Sequence, residues 1–223
     1  MSSAQVTSRY VQANGLNFHV LESGREHSEL VIFLHGFPEY SGMWREYLEA
    51  MGSSFHAVAP DLRGYNLTSC PSKKEDYSIS VLLEDVKCLV KELGHSTAVV
   101  IAHDWGGIIA WHVLARYPEI FVKGVIINAP HPTIYAELFS HDPDQKKRAS
   151  YVGLFRLPFS HLLLRFNDFA LLKKGVFGTA KKPFTPKEQE GYVEVWRRSI
   201  KFQLYYYKEN SGQGFSRNFG FER

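Results

Sequence analysis

Hydrophobic positions along the chain follow two rhythms. Up to about Pro130, short runs rich in β-branched residues alternate with longer stretches of helical spacing, which predicts a mostly parallel sheet covered by helices on both faces. Tyr10-Val11-Gln12 and Leu16-Asn17-Phe18-His19-Val20 flank Ala13-Asn14-Gly15, and Asn-Gly supplies the tight turn of an antiparallel hairpin. The apolar runs at 30–34, 56–59, 98–102 and 122–127 are nearly continuous, as strands buried on both faces are. These predict the central strands. Between them Val81, Leu82, Val86, Leu89 and Val90 recur at helical spacing, and Gly94 ends that helix.

After Pro130 the rhythm changes. From Tyr135 to Tyr207 helical spacing is interrupted by Leu157-Pro158, Lys182-Pro183 and Thr185-Pro186, with no strand pattern. This predicts a separate helical insertion whose last long helix starts near Thr185, where Glu188 completes a capping box. Residues 1–130 are thus expected to form the N-terminal part of a core, 131–208 a helical cap, and 209–223 an irregular tail.

Composition narrows the function classes. A chain of 223 residues, 44% hydrophobic and 22% charged, suits one globular domain with an insertion and excludes a disordered or fibrous protein. The net charge of +3, with basic pairs as dispersed as Lys146-Lys147 and Arg197-Arg198, makes no stripe for nucleic acid. Cys70 and Cys88 fit neither a disulfide framework nor a zinc site and suggest a reducing compartment. The N-terminus lacks a signal-peptide pattern, and no segment reaches the ~18 apolar residues of a membrane span. The expectation is a cytoplasmic protein without membrane or nucleic-acid partners, in which the Asn66-Leu67-Thr68 sequon goes unused.

The chemistry concentrates where the run Val99-Val100-Ile101-Ala102-His103-Asp104-Trp105-Gly106-Gly107 passes from a strand through a sharp turn into a helix. Ala102 and Gly106 flank Asp104 at minus two and plus two, the small residues that let a strained turn project its apex side chain. This is the pattern of a nucleophile elbow. A carboxylate there is already ionised at neutral pH, with an ordinary pKa near ~3.9, and suits displacement at carbon. An aspartate after a strand is also a common helix N-cap. Upstream, His35-Gly36-Phe37-Pro38 forms a turn after the 30–34 strand, and the amides of Phe37 and Trp105 are the expected oxyanion hole. His103 and His131 read as structural.

Together, His35-Gly36-Phe37-Pro38-Glu39, Asp61-Leu62-Arg63-Gly64-Tyr65, His103-Asp104-Trp105-Gly106-Gly107 and Tyr117-Pro118-Glu119 closely resemble the epoxide hydrolase branch of the α/β-hydrolase superfamily, over about residues 8–208. The resemblance implies an α/β-hydrolase fold with a helical cap, an aspartate that forms an alkyl-enzyme ester with an epoxide carbon, and two cap tyrosines that protonate the departing oxygen. Tyr151 and Tyr207 match those positions, with Tyr205 and Tyr206 as register alternatives and Lys208 where the family usually has arginine. Phe37 and Trp105, with Tyr151 and Tyr207, would line the substrate site. The substrate would be a small apolar epoxide or related electrophile, with no metal and no organic cofactor.

The resemblance also implies an acid and a histidine beyond the cap, with the last strands and the C-terminal helix. These have no counterpart here: all ten histidines lie at or before His161, and the stretch after the sixth strand reads Ile127-Asn128-Ala129-Pro130, without a carboxylate. Two expectations follow. The chain should alkylate without turning over, because only the second half-reaction needs histidine to activate water. The 122–127 strand should leave an uncovered apolar edge that invites association. Alternatives are a haloalkane dehalogenase, which shares the aspartate elbow, and a non-catalytic truncated isoform or pseudoenzyme.

Overall fold

The structure, a computed structural model, describes residues 4–210. Asn14 and Gly15 both take positive φ, 44° and 73°, and close the hairpin of β1 (Thr7–Ala13) and β2 (Leu16–Ser23) with Ala13 opposite Leu16. That turn geometry matches the twist of two adjacent antiparallel strands, and Asn-Gly reaches it at little cost. β3 (Leu30–Leu34), β4 (His56–Pro60), β5 (Ala98–His103) and β6 (Phe121–Ile127) complete a six-stranded sheet in the order β1-β2-β4-β3-β5-β6. The β4, β3, β5 and β6 neighbours are parallel, and β2 joins β4 antiparallel. The mostly parallel sheet read from the sequence is present, with the antiparallel hairpin at one edge.

Helices cover the two faces unequally. α2 (Ile79–Glu92) and α3 (Trp105–Arg116) pack their apolar sides, including Leu82, Val86, Leu89, Ile109 and Val113, into the main core on one face. On the other face α1 (Arg45–Met51) adds Leu48 to a smaller cluster with Val31, Phe33, Trp44 and Ala59. That cluster does not extend over β6.

One part of the sequence expectation is corrected and one is met. The 122–127 run is not a doubly buried central strand, but the uncovered edge expected of it is there: β6 lies at the sheet edge, and Phe121 is buried while Val122, Val125 and Ile127 are exposed at 53%, 50% and 37%. A continuous apolar run reports what a strand could bury. Whether anything covers it depends on partners elsewhere in the chain.

From Pro132 onward the described residues are helical: α4 (Pro132–His141), α5 (Pro143–Arg148), α6 (Ser150–Arg156), α7 (Ser160–Val176), α8 (Pro186–Gln203) and α9 (Tyr205–Asn210). α7 is broken by non-helical backbone from Phe166 to Phe169. α8 starts with the expected capping box, in which the Thr185 side chain accepts from the Glu188 N–H while the Glu188 carboxylate accepts from the Thr185 N–H. Its inner side buries Tyr192, Trp196 and Ile200 in the main core, so this segment shares the core of the sheet. α9 includes residues 209 and 210, which the irregular tail had been expected to claim, and 211–223 lie outside the described residues.

Two glycines let the ends of β3 and β5 meet. A Cβ on Gly106 would stand 2.3 Å from the Leu34 carbonyl oxygen, and one on Gly36 would stand 2.4 Å from the Asp104 side chain. Both contacts are far inside van der Waals distance, and for Gly106 the obstacle is backbone that cannot swing aside. Gly106→Ala is therefore expected to destabilise the protein by on the order of 2 kcal/mol, the scale of overpacking a tight site. Urea denaturation monitored by circular dichroism checks this, and an unchanged midpoint would contradict the close approach.

Candidate active site

Parallel pairing aligns Leu34 with Ala102, so the loops leaving β3 and β5 emerge side by side at the C-terminal ends of adjacent strands. Asp104 occupies the bend between β5 and α3 at φ 52° and ψ −120°, a conformation that residues other than glycine rarely adopt. Its side chain makes no cap bond to α3. The N-cap alternative is thereby set aside. Instead the Phe37 N–H donates to Asp104 Oδ1 at 2.9 Å.

These contacts balance opposing electrostatics. Burial disfavours the charged carboxylate and raises the Asp104 pKa above its ordinary value, while the amides of Phe37 and Trp105 and the nearby His103 hold that rise back. The carboxylate also sits at the N-terminal end of α3, where the helix dipole favours negative charge.

An aromatic cluster stands over the carboxylate. The Tyr207 ring meets Trp105 edge-on at 5.2 Å and Phe37 at 5.4 Å between centroids, and Tyr151 lies 6.4 Å from Tyr207. The structure thus brings Phe37, Asp104, Trp105, Tyr151 and Tyr207 to one place. Burial, followed by the Asp104 charge, pushes the Tyr207 phenol well above its usual range and Tyr151 up to about 12. Both phenols hold their protons at neutral pH. Tyr207 is enclosed, whereas Tyr151 stays 47% exposed.

Of the register alternatives, Tyr206 also meets Trp105 edge-on, at 5.5 Å between centroids, but its hydroxyl is engaged elsewhere. Tyr206 is fully buried and its hydroxyl donates to the Arg63 carbonyl oxygen at 2.9 Å, while Tyr205 packs edge-on against Tyr77. His131 packs against Trp111.

Sequence reasoning missed three contributors. Phe155 bridges Phe37 and Tyr207 at 4.9 and 5.0 Å; its place one turn after Tyr151 on α6 was a usable signal. Gly36 supplies the space that Asp104 fills. The Tyr192 hydroxyl donates to the Glu39 carboxylate, which burial pushes toward its neutral form and which feels the Asp104 charge. That pairing links positions 153 residues apart and left no local trace.

Among the described residues, no group of three or more histidine, cysteine, aspartate or glutamate side chains could hold a metal ion, and no helix is long and apolar enough to cross a membrane.

A family model described as the alpha/beta hydrolase fold matches residues 29–156. Mouse epoxide hydrolase 4 is 37% identical over 194 residues, covering 83% of this chain and 54% of the relative. The AB hydrolase superfamily protein YfhM of Bacillus subtilis is 36% identical over 197 residues, covering 86% and 68%. An epoxide hydrolase of Bacillus megaterium, solved in complex with an inhibitor, superimposes with a TM-score of 0.85 at 35% identity, over 90% of this chain and 71% of that one. The chain spans about half the length of the mammalian relatives it matches.

Acid should weaken the fold around this site. His35, fully buried, has its pKa lowered by burial from 6.5 to about 4, so between those values the unfolded chain binds a proton that the folded one refuses. Its contribution is fully present above pH 6.5 and is lost as pH falls toward 4, by up to about 3 kcal/mol. Glu22 is held at about 2 against an ordinary 4.5; burial opposes this but is outweighed by bonds from His56 and Arg9, and the loss therefore continues below pH 4.5. Urea midpoints should be level down to pH 6.5 and then decline, with the decline between 6.5 and 4 shallower in His35→Gln. A flat profile down to pH 4 would refute this.

Proposed function

The chain belongs to the epoxide hydrolase family of the α/β hydrolase fold, and from that membership we propose that it opens a small apolar epoxide through a covalent ester on Asp104. The observation that supports this most is the Asp104 carboxylate held at positive φ with the Phe37 amide at 2.9 Å and the Tyr207 ring packed over Trp105. The Phe37 amide holds Oδ1, and in this reading the other carboxylate oxygen attacks. The new bond joins a carboxylate oxygen to an epoxide carbon as the ring C–O bond breaks, and its electron pair leaves on oxygen.

That oxygen would be an alkoxide, whose conjugate acid is about as weak as water at ~15.7. A phenol, even one raised to about 12 like Tyr151, is a strong enough acid to protonate it. Tyr207 and Tyr151 are the donors in this reading, and the phenolate recovers its proton from solvent through exposed Tyr151. Phe37, Trp105 and Phe155 supply an apolar wall for the substrate carbon skeleton. The step needs no metal or organic cofactor.

In the second half-reaction water must attack the ester carbonyl, with the Phe37 and Trp105 amides available to stabilise the developing oxyanion. Activating that water calls for a base. His35 has both ring nitrogens engaged, and this sequence contains no histidine after His161. The ester is therefore expected to accumulate in this 223-residue chain. The open edge of β6 also supports self-association of this chain, which sedimentation velocity reads directly; a strictly monomeric boundary at all concentrations would count against it.

Incubation with an aryl epoxide should add one epoxide mass to the chain by intact mass spectrometry. Peptide mapping should place it on Asp104, and Asp104→Asn should abolish it. Tyr207→Phe should slow adduct formation by about 10²-fold, the scale of a lost general acid. Adduct elsewhere, or persistent adduct in Asp104→Asn, would sink the mechanism; steady diol release above a protein-free control would sink the accumulation.

A further inference from the structure

His35 lies in the loop that faces Asp104, is completely buried, and has no part in the chemistry above. Both of its ring nitrogens are engaged. Nε2 lies 3.0 Å from the Leu62 backbone nitrogen, and Nδ1 lies 3.0 Å from the Gly36 carbonyl oxygen. A backbone N–H only donates and a carbonyl only accepts, so Nε2 is bare and Nδ1 carries the hydrogen. The ring is therefore neutral and locked in one tautomer. Tyr65 packs edge-on against it at 4.7 Å and fixes its plane.

The Gly36 carbonyl and the Phe37 N–H belong to a single planar peptide unit. Anchoring the oxygen on one side sets the direction of the N–H on the other. That N–H is the one 2.9 Å from Asp104 Oδ1. Gly36 has the widest torsional freedom of any residue type, and it must be glycine because a Cβ would strike Asp104. The Glu39 N–H also donates to the Gly36 carbonyl oxygen at 3.0 Å, so this peptide plane has two anchors, and the imidazole is the one supplied by a side chain.

We propose that His35 is a positioning residue: its Nδ1–H fixes the Gly36-Phe37 peptide plane so that the Phe37 N–H meets the Asp104 carboxylate. The catalytic consequence rests on Asp104 acting as nucleophile; the positioning itself is a property of the resting protein. Without the amide, Asp104 loses one of the groups holding back the rise in its pKa, so less of it is ionised at a given pH.

Two substitutions separate the two ring nitrogens. Asparagine can place its amide nitrogen near Nδ1, keeping the donor to Gly36 and dropping the acceptor for Leu62. Glutamine can place its carbonyl oxygen near Nε2, keeping the acceptor and dropping the donor. A merely structural histidine would lose stability in both variants without altering Asp104. Positioning predicts that His35→Gln alone shifts the Phe37 amide proton upfield in ¹H–¹⁵N NMR spectra, moves the Asp104 titration to higher pH, and slows adduct formation at pH 7 at least tenfold. His35→Asn should stay near the wild type in all three.

An unchanged Phe37 amide in folded His35→Gln, or equal changes in the two variants, would overturn the proposal. Adduct failing to form on the wild-type chain while the Phe37 amide still responds to His35→Gln would reject the nucleophile reading and leave the positioning intact. Should His35→Gln fail to fold, long-range ¹H–¹⁵N spectra of the wild-type imidazole decide: Nδ1 protonated and Nε2 bare supports the proposal, and the opposite tautomer or an imidazolium at pH 7 overturns it.

Discussion

Everything at the candidate site depends on one contact, the Phe37 N–H donating to Asp104 Oδ1 at 2.9 Å. It joins two loops that leave neighbouring parallel strands, and so it inherits its geometry from the β3–β5 register that sets Leu34 beside Ala102. Glycine at 36 makes room for the aspartate, and glycine at 106 lets α3 begin against the end of β3. A carboxylate taken partly out of water needs compensating donors. The Phe37 amide and the N-terminus of α3 provide them while leaving an oxygen unengaged by Phe37.

The tyrosine above the carboxylate is placed indirectly, by its neighbours. Tyr206 is tied by its hydroxyl to the Arg63 carbonyl, and Asn210 accepts from the Ile79 N–H and donates to the Tyr77 carbonyl. Arg63 is itself fixed by a buried two-point pair with Asp85, whose Oδ1 also accepts from Asn14 in the hairpin turn. Consecutive residues of a helix point about 100° apart, so anchoring Tyr206 and Asn210 turns Tyr207 toward Trp105. The hairpin at one edge of the sheet thereby connects, through α2 and the 61–65 loop, to the orientation of a phenol over Asp104.

Buried ionisable groups gather in that same 61–65 loop. Asp61, fully enclosed, accepts from the Ser41 N–H, from Asn66 and from His19; burial alone would raise its pKa, but the bond and charge of His19, the charge of His35 and the Ser41 amide hold it below the ordinary value. With His35 at its start and the Ser41 N–H at its end, the 35–41 segment is held at both ends by side chains at positions 35 and 61. The backbone of this loop is thus fixed by polar contacts as well as by packing, consistent with a segment whose amide direction matters.

The sequence by itself determined what is written between near neighbours. The Asn14-Gly15 turn, the strand runs, the Thr185–Glu188 cap and the Ala102-Asp104-Gly106 bend are all local, because sterics and hydrogen bonds within a few residues decide them. Family resemblance added the tyrosine pair, and left the choice among Tyr205, Tyr206 and Tyr207 to be settled. Tertiary structure alone decided which of these rings meets both Phe37 and Trp105, since the Tyr206 hydroxyl is held by Arg63; that β6 is not a doubly buried strand, since this depends on which strands pair; and the Glu39–Tyr192 and His35–Leu62 contacts, which span 153 and 27 residues. A hydropathy pattern records each residue's preference for burial, but the partner that satisfies a buried polar atom is set by the folded chain as a whole.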